Sequence, residues 1–268
     1  MTREPVEARA IWKVRDGRRS EENDWVVVEE PLDLRLGGET LAIIMRTPGH
    51  DVDLAAGFCL TEGVVRTIRD LGTIRVCAAE PEGEANVVEV TLAPGALFDR
   101  DRLRRNLMAS AACGLCGKAS IEALATQAQP VESSLIVRRE VLESLPERLL
   151  AAQATFGRTG ALHASGLFDQ EGALLVCRED VGRHNAVDKV IGRTLLDGAS
   201  LRDAILLVSG RTSFEILQKA AVAGIPVVCA ISGPTTLAIE TARAFGITLV
   251  NFLRGRAMNV ASRPDRIE

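Results

Sequence analysis

The segment Ala204-Ile-Leu-Leu-Val-Ser-Gly-Arg-Thr-Ser213 decides the fold of the second half of this chain. An uninterrupted apolar run ends in a small polar loop, and Ser213 opens a helical pattern that continues to Ala223. The same order recurs downstream. Pro226-Val-Val-Cys-Ala-Ile231 runs into Ser232-Gly-Pro-Thr-Thr236 and a helix to Phe245, and Ile247 to Phe252 runs into Leu253-Arg-Gly-Arg256. Strands written as continuous apolar runs belong to a parallel sheet covered on both faces, joined by right-handed crossovers. Upstream, Ala161–Phe168 and Ala173–Cys177 flank Asp169-Gln-Glu-Gly172, which predicts an antiparallel pair, and a helix from His184 to Leu196 leads into the Ala204 strand. A further helix is expected from about Pro146 to Phe156.

These elements build a three-layer α/β/α domain over residues 135–268, with a five-stranded mixed sheet whose first strand opposes the rest. The arrangement resembles the cytidine deaminase fold. Residues 1–126 read differently, as a β-rich α+β domain. Strands are expected at Ala10–Arg15, Asp24–Glu30, Leu32–Leu36 and Thr40–Met45, with Gly37-Gly38 as a hairpin turn, and again near Thr73–Ala78 and Val87–Leu92. Asp51 is placed to cap a helix bearing Leu54, Ala55, Phe58 and Cys59, which Gly63 stops. A basic helix is expected from about Asp99 to Met108, and another from Lys118 to Ala125. The polar, breaker-rich residues 127–134 read as the linker.

Composition narrows the function. At 268 residues, 47% hydrophobic and 25% charged, the chain can bury a substantial core. A net charge of −4 argues against nucleic-acid binding driven by bulk charge. No apolar run reaches membrane-spanning length and the N-terminus lacks signal-peptide order, so a cytoplasmic protein is expected. Cys59, Cys77, Cys177 and Cys229 stand alone and read as buried small hydrophobes. Only Cys113 and Cys116 lie close together, in Ser110-Ala-Ala-Cys-Gly-Leu-Cys-Gly117. Such a pair is a redox dithiol, half a zinc site or a sulfur carrier.

In a sheet of this kind, ligands sit outside the carboxyl ends of the strands, where helix N-termini favour anions. Four polar loops converge there, starting at Arg178, Ser209, Ser232 and Phe252. One such loop is an ordinary helix start with a solvated arginine; four on one edge suit a phosphorylated ligand. Neither the phosphate-loop pattern G-x-x-x-x-G-K-[ST] nor G-x-G-x-x-G occurs. Zinc deaminases place His or Cys with Glu at one helix start and P-C-x-x-C at the next. Here those starts carry Arg178-Glu-Asp-Val-Gly-Arg-His-Asn185 and Ser209-Gly-Arg-Thr-Ser213, so a catalytic zinc is not expected, and no metal site is assigned.

Five blocks together resemble the FdhD/NarQ family of formate dehydrogenase accessory sulfurtransferases: Met45–Phe58, Ser110–Gly117, Thr159–Ala164, Arg178–Lys189 and Ser209–Ile216. The likeness runs from Glu30 nearly to the C-terminus, with Ala161 standing where a second glycine is usual. It implies a persulfide carrier that accepts sulfur from a cysteine desulfurase. The sulfur goes to the molybdenum of bis(molybdopterin guanine dinucleotide), bound as substrate, for formate dehydrogenase. The alternative is a non-catalytic chaperone that holds and presents that cofactor.

By this resemblance Cys113 carries the persulfide with Cys116 as its partner, in a loop loosened by Gly114 and Gly117. Lys118 and the helix expected to start there would favour the thiolate. The first choice for cofactor contact is Phe252, Leu253, Arg254, Gly255, Arg256 and Ala257, and the second is Ser209 and Arg211. A homodimer would offer one nucleotide site per subunit. Asp180 and His184 either read a guanine edge or order a helix start, His163 reads as a core histidine, and the role of His50 stays open.

Overall fold

The computed structural model describes residues 3–77, 86–96, 98 and 117–268, with side chains from residue 120 onward in the last stretch. The N-terminal half opens with an antiparallel ribbon of β1 (Val6–Arg15) and β2 (Arg18–Val27), which among the described residues pairs with no other strand. Next come β3 (Glu30–Leu36), β4 (Glu39–Arg46), β5 (Leu71–Cys77) and β6 (Val87–Leu92), in a four-stranded sheet ordered β4-β3-β6-β5. Gly37 and Gly38 both take positive φ in the β3–β4 turn, as the hairpin reading required.

Between β4 and β5 lies α1 (Asp51–Thr61). Its N-cap is His50 in the left-handed region (φ 59°), not Asp51. The Asp51 carboxylate instead accepts from Arg46 Nε at 3.0 Å and Nη2 at 3.2 Å, and a charged partner outcompetes a helix cap. The helix presents more than one buried face: Asp53, Ala56, Gly57 and Leu60 are buried along with the four residues expected.

The second half contains α2 (Gly117–Ala125), α3 (Arg139–Ala152), α4 (Ala154–Thr159), β7 (His163–Phe168), β8 (Leu174–Asp180), α5 (Arg183–Leu196), β9 (Ile205–Val208), α6 (Phe214–Ala223), β10 (Val227–Ala230), α7 (Thr236–Ala244), β11 (Thr248–Arg254) and β12 (Ala257–Ser262). Among the described residues the sheet has six strands, not five, in the order β12-β11-β10-β9-β7-β8. β9, β10 and β11 are parallel, β7 opposes both its neighbours, and β12 folds back antiparallel on β11. The extra strand, Ala-Met-Asn-Val-Ala-Ser, is an edge strand with half of its residues exposed, so it lacks the apolar run that marks its neighbours.

Helix α3 also begins earlier than expected, with Pro146 inside it. Its stripe of Val141, Leu142, Leu145 and Leu149 starts before the proline, and burying that stripe offsets the roughly 3 kcal/mol a proline costs inside a helix.

Alternation along the buried strands sends apolar side chains to both faces. Ile205, Leu207, Val227 and Cys229 pack under α3. Leu206, Val208 and Val228 join a second core with Val190, Leu217 and Ala238 from α5, α6 and α7. That core continues through Leu54 and Phe58 of α1 to Leu32, Leu34 and Val88 of the four-stranded sheet. At the centre, α1 and α5 cross on two glycines. A Cβ on Gly57 would lie 1.9 Å from the Asp188 carbonyl oxygen, and one on Gly192 would lie 1.9 Å from that of Asp53. Beside the crossing, the buried Lys219 ammonium donates to Thr61 Oγ1 (3.0 Å), Glu62 Oε1 (2.9 Å) and Asp188 Oδ2 (2.9 Å), using all three of its protons. The segment after α2 buries Ala128 and Val131, and the Val131 N–H donates to the Phe245 carbonyl at 2.8 Å.

Candidate functional site

The carboxyl ends of β8, β9, β10 and β11 form one edge, and the start of β7 lies on it because that strand is reversed. At the β8 end, Asp180 is fully buried. Its carboxylate lies 2.7 Å from Lys189 Nζ and accepts from Gly182 N (2.8 Å), Asn185 Nδ2 (2.9 Å) and Thr47 N (3.2 Å). Lys189 Nζ also donates to the Thr47 carbonyl (3.0 Å), and Asn185 Nδ2 to that of Met45 (2.8 Å). Of the two roles open to Asp180, the geometry gives it the ordering one: it fixes the start of α5 and docks the 45–50 turn on the edge.

Arg178 and Glu179 are likewise committed. Arg178 pairs with Asp53 of α1 at 2.8 Å, and Glu179 accepts the Thr155 and Phe156 N–H groups at the start of α4 (2.9 and 2.7 Å). His50 is also at this end, with Nδ1 3.6 Å from Asp53 Oδ2; burial, followed by the Arg178 charge, lowers its pKa below 6.5.

The next loops hold the cations. His184 Nε2 lies 2.8 Å from Glu215 Oε2 and 3.3 Å from Ser213 Oγ, tying the starts of α5 and α6 together. That hydrogen bond holds the Glu215 carboxyl below its usual range. His163 is half-buried and sits on the edge beside Gly210: a Cβ there would meet its Nδ1 at 3.4 Å and the Arg183 Cδ at 3.5 Å. Burial first, then the charges of Arg183, His184 and Arg211, push the His163 pKa down. The core reading of His163 is therefore corrected. It opens a strand opposite Asp180, so only the tertiary pairing brings it to the edge. Arg183 stands within the Arg178–Lys189 stretch, and its Nε is buried without a hydrogen-bond partner among the described residues.

The Ser209 hydroxyl accepts the Ala164 N–H at 3.0 Å, extending the β7–β9 ladder, and Arg211 is exposed. Neither α5, capped by Gly182, nor α6, capped by Ser213, has a side-chain cap, whereas Thr235 caps α7. The starts of α5 and α6 thus lack a capping side chain for their first-turn N–H groups.

The Phe252–Ala257 stretch ends β11 and turns into β12. Phe252 takes a positive φ (52°) at a register shift, is 43% exposed, and lays its ring against Gly233, where an added Cβ would approach it to 2.7 Å. Leu253 points into the core, which leaves only its backbone for a ligand. Arg254 Nε donates to the Ile231 carbonyl (3.1 Å), Arg256 is exposed, and Gly255 (φ 54°) has open space at its α-carbon. Below them Asn251 Nδ2 donates to Thr212 Oγ1 (2.8 Å), and Thr212 bonds through its backbone to Gly233 and Thr235. The Ser209, Ser232 and Phe252 loops are thereby joined.

Cys113, Cys116 and the helix expected over 99–108 lie outside the described residues; α2 begins at Gly117, one residue after Cys116. Cys59 and Cys229 are buried, with thiols pushed up to about 12 by burial. Cys177 is half-buried and raised to about 11 for the same cause, while Cys77, expected to be buried, is exposed at the end of β5.

A model of the FdhD/NarQ family matches residues 27–268. The chain is 50% identical over 269 residues to a Streptomyces coelicolor protein named Sulfur carrier protein FdhD, covering 98% of this chain and 95% of that one. It is 47% identical over 251 residues to the protein of that name from Mycobacterium tuberculosis, covering 90% and 91%. A crystal structure described as a putative formate dehydrogenase accessory protein from Desulfotalea psychrophila superposes with a TM-score of 0.79 at 26% identity, over 99% of this chain and all of that one. The chain therefore belongs to the FdhD/NarQ family.

Proposed function

We propose that this protein is a sulfur carrier in the maturation of formate dehydrogenase. The observation that carries the reading is its 50% identity, across nearly its whole length, to a relative named as a sulfur carrier. In this reading the Cys113 thiolate attacks the terminal sulfur of a cysteine desulfurase persulfide, forming a Cys113 persulfide and releasing the donor thiolate. Attack by the Cys116 thiolate on Cys113 Sγ would then release the terminal sulfur as hydrosulfide. This leaves a Cys113–Cys116 disulfide, which a dithiol must reduce. In this reading the N-terminus of α2, which begins one residue after Cys116 in the sequence, would favour the thiolate. Cys59, Cys177 and Cys229 are poor alternatives, because their raised pKa keeps them protonated near neutral pH.

The acceptor would be the molybdenum of bis(molybdopterin guanine dinucleotide), treated as substrate. Its phosphates would bind at the carboxyl edge, a reading supported by Arg183, Arg211, Arg254 and Arg256 beside two helix starts without side-chain caps. Gly255 leaves room for close approach of a ligand to the backbone. A homodimer would present one such edge per subunit. The strand order β8-β7-β9-β10-β11, with β7 reversed, supports reading the sheet as deaminase-like.

Incubation with a cysteine desulfurase and labelled cysteine should leave sulfur on the wild-type chain, removable by thiol reductant and absent from Cys113→Ala. No loading from a competent desulfurase would sink the carrier mechanism. Full dehydrogenase maturation by a Cys113→Ala, Cys116→Ala variant would favour a chaperone that only holds the cofactor.

A further inference from the structure

The β1–β2 ribbon leaves the body of the molecule with both faces uncovered. Among the described residues it pairs with neither larger sheet, and its ten-residue strands keep one continuous register. At the base Val6 is buried, and the Arg158 guanidinium of α4 lies 4.4 Å from the Trp25 ring centroid. Beyond that anchor every residue from Ala8 to Asn23 except Ile11 and Lys13 is exposed.

The register assigns each side chain to a face. Val14 and Arg19 share one face with Trp12 and Trp25, whereas Ile11, Lys13, Arg15 and Arg18 share the other. Trp12 is 66% and Val14 63% exposed, so apolar groups as well as cations are bare near the tip. Asp16 and Gly17 close the tip in a tight turn, both with positive φ. Lys13 is held by Asp24 and Glu22, at 3.1 and 3.7 Å, while Arg15, Arg18 and Arg19 join no salt bridge among the described residues. Unpaired arginines thus stand on both faces of the tip, in a chain whose net charge is −4.

A flat protein surface would cover one face of this ribbon and leave the cations of the other in water. A lipid interface receives a hairpin tip from all sides. An aromatic side chain settles there at headgroup depth, and arginines on either face reach anionic headgroups. We propose that the ribbon is a peripheral membrane arm that docks tip-first on an anionic phospholipid surface. The acidic residues of the shank, Glu21, Glu22 and Asp24, limit its depth. Trp12 is three register steps from the Arg15–Arg18 pair, about 10 Å, and Trp25 is seven steps away, about 23 Å. Lipid therefore reaches Trp12 and not Trp25. This docking goes beyond sulfur carriage, and neither sulfur nor nucleotide enters its test.

The full chain is sedimented with vesicles of mixed phosphatidylglycerol and phosphatidylcholine, or of phosphatidylcholine alone. It should follow the anionic vesicles, more weakly as salt rises, and leave the neutral ones. The tip reversal Arg15→Glu, Arg18→Glu, Arg19→Glu should lower the affinity about a hundredfold or more, and Trp12→Ser about tenfold. All four positions are exposed, so urea melts of both variants should match the wild type. Brominated lipid reads the depth, because the chain has two tryptophans. In Trp25→Phe the remaining Trp12 emission should shift to the blue and be quenched; in Trp12→Phe the Trp25 emission should do neither. The arm is overturned by a chain that ignores anionic vesicles or binds neutral ones equally well. Unchanged affinity after either substitution, or quenching of Trp25 as strong as that of Trp12, would overturn it too. Capture of a single-stranded oligonucleotide in place of vesicles would likewise overturn it and assign the tip to nucleic acid.

Discussion

Lys189 Nζ lies 2.7 Å from the Asp180 carboxylate, and both side chains are buried where the 45–50 turn meets the start of α5. Removing one partner leaves a buried charge unpaired, so Lys189→Met should destabilise the fold by about 3–5 kcal/mol. The double variant Lys189→Met, Asp180→Asn should recover part of that loss, because no uncompensated charge remains. Urea denaturation of the three proteins checks it, and equal stability of the single and double variants would argue against the pairing.

The α1–α5 crossing makes a second prediction. Alanine favours a helix over glycine by up to about 1 kcal/mol. Even so, Gly57→Ala and Gly192→Ala should each destabilise by about 1–3 kcal/mol or more, since the new methyl meets backbone at 1.9 Å rather than a side chain that can turn away. Thermal melts that rise for either variant would mean the helices separate freely.

Thiol accessibility should sort the described cysteines. Exposed Cys77 should react with an aromatic disulfide reagent in the native protein, whereas Cys59 and Cys229 should react only after unfolding. Cys77→Ser should leave desulfurase-dependent loading unchanged. Loss of loading in that variant would move the carrier away from Cys113.

His163 and His50 both have folded pKa values below 6.5. As pH falls below about 6.5 the unfolded chain binds these protons first, so stability should decline from there down to the folded pKa values, then level off for these groups. The slope should shrink, without vanishing, in His163→Gln, because His50 acts in the same direction. Denaturant melts between about pH 7.5 and 5 measure the slope. If an anion binds beside Arg183 and Arg211, GDP should raise the His163 pKa in an NMR titration.

For the nucleotide site, Arg256→Ala is the cleaner probe, since Arg254 also ties the end of β11 to the Ile231 carbonyl. A charge-assisted contact is worth roughly 1.5 to 3 kcal/mol, so losing Arg256 should raise the GDP dissociation constant about tenfold or more, and losing both further still. Sulfur loading of Cys113 should be unaffected. Unchanged GDP affinity in calorimetry would move the phosphates toward Arg183 and Arg211.

The sequence by itself determined the elements whose apolar period and turn residues speak locally. The runs at Ile205, Val227 and Thr248 can be buried only as central strands, and Gly37-Gly38 can hardly be other than a turn. The five blocks pointed to the family, because several such stretches do not recur together by chance. Tertiary structure decided what depends on partners distant in sequence. β12 exists because β11 offers it an edge, Pro146 sits inside α3 because the sheet rewards the stripe around it, and Asp51 gives up its cap because Arg46 is buried beside it. His163 reaches the edge, and Asp180 becomes a lock rather than a reader, through contacts with residues from 9 to 133 positions away. No local pattern encodes those distances; burial and charge pairing across the folded chain do.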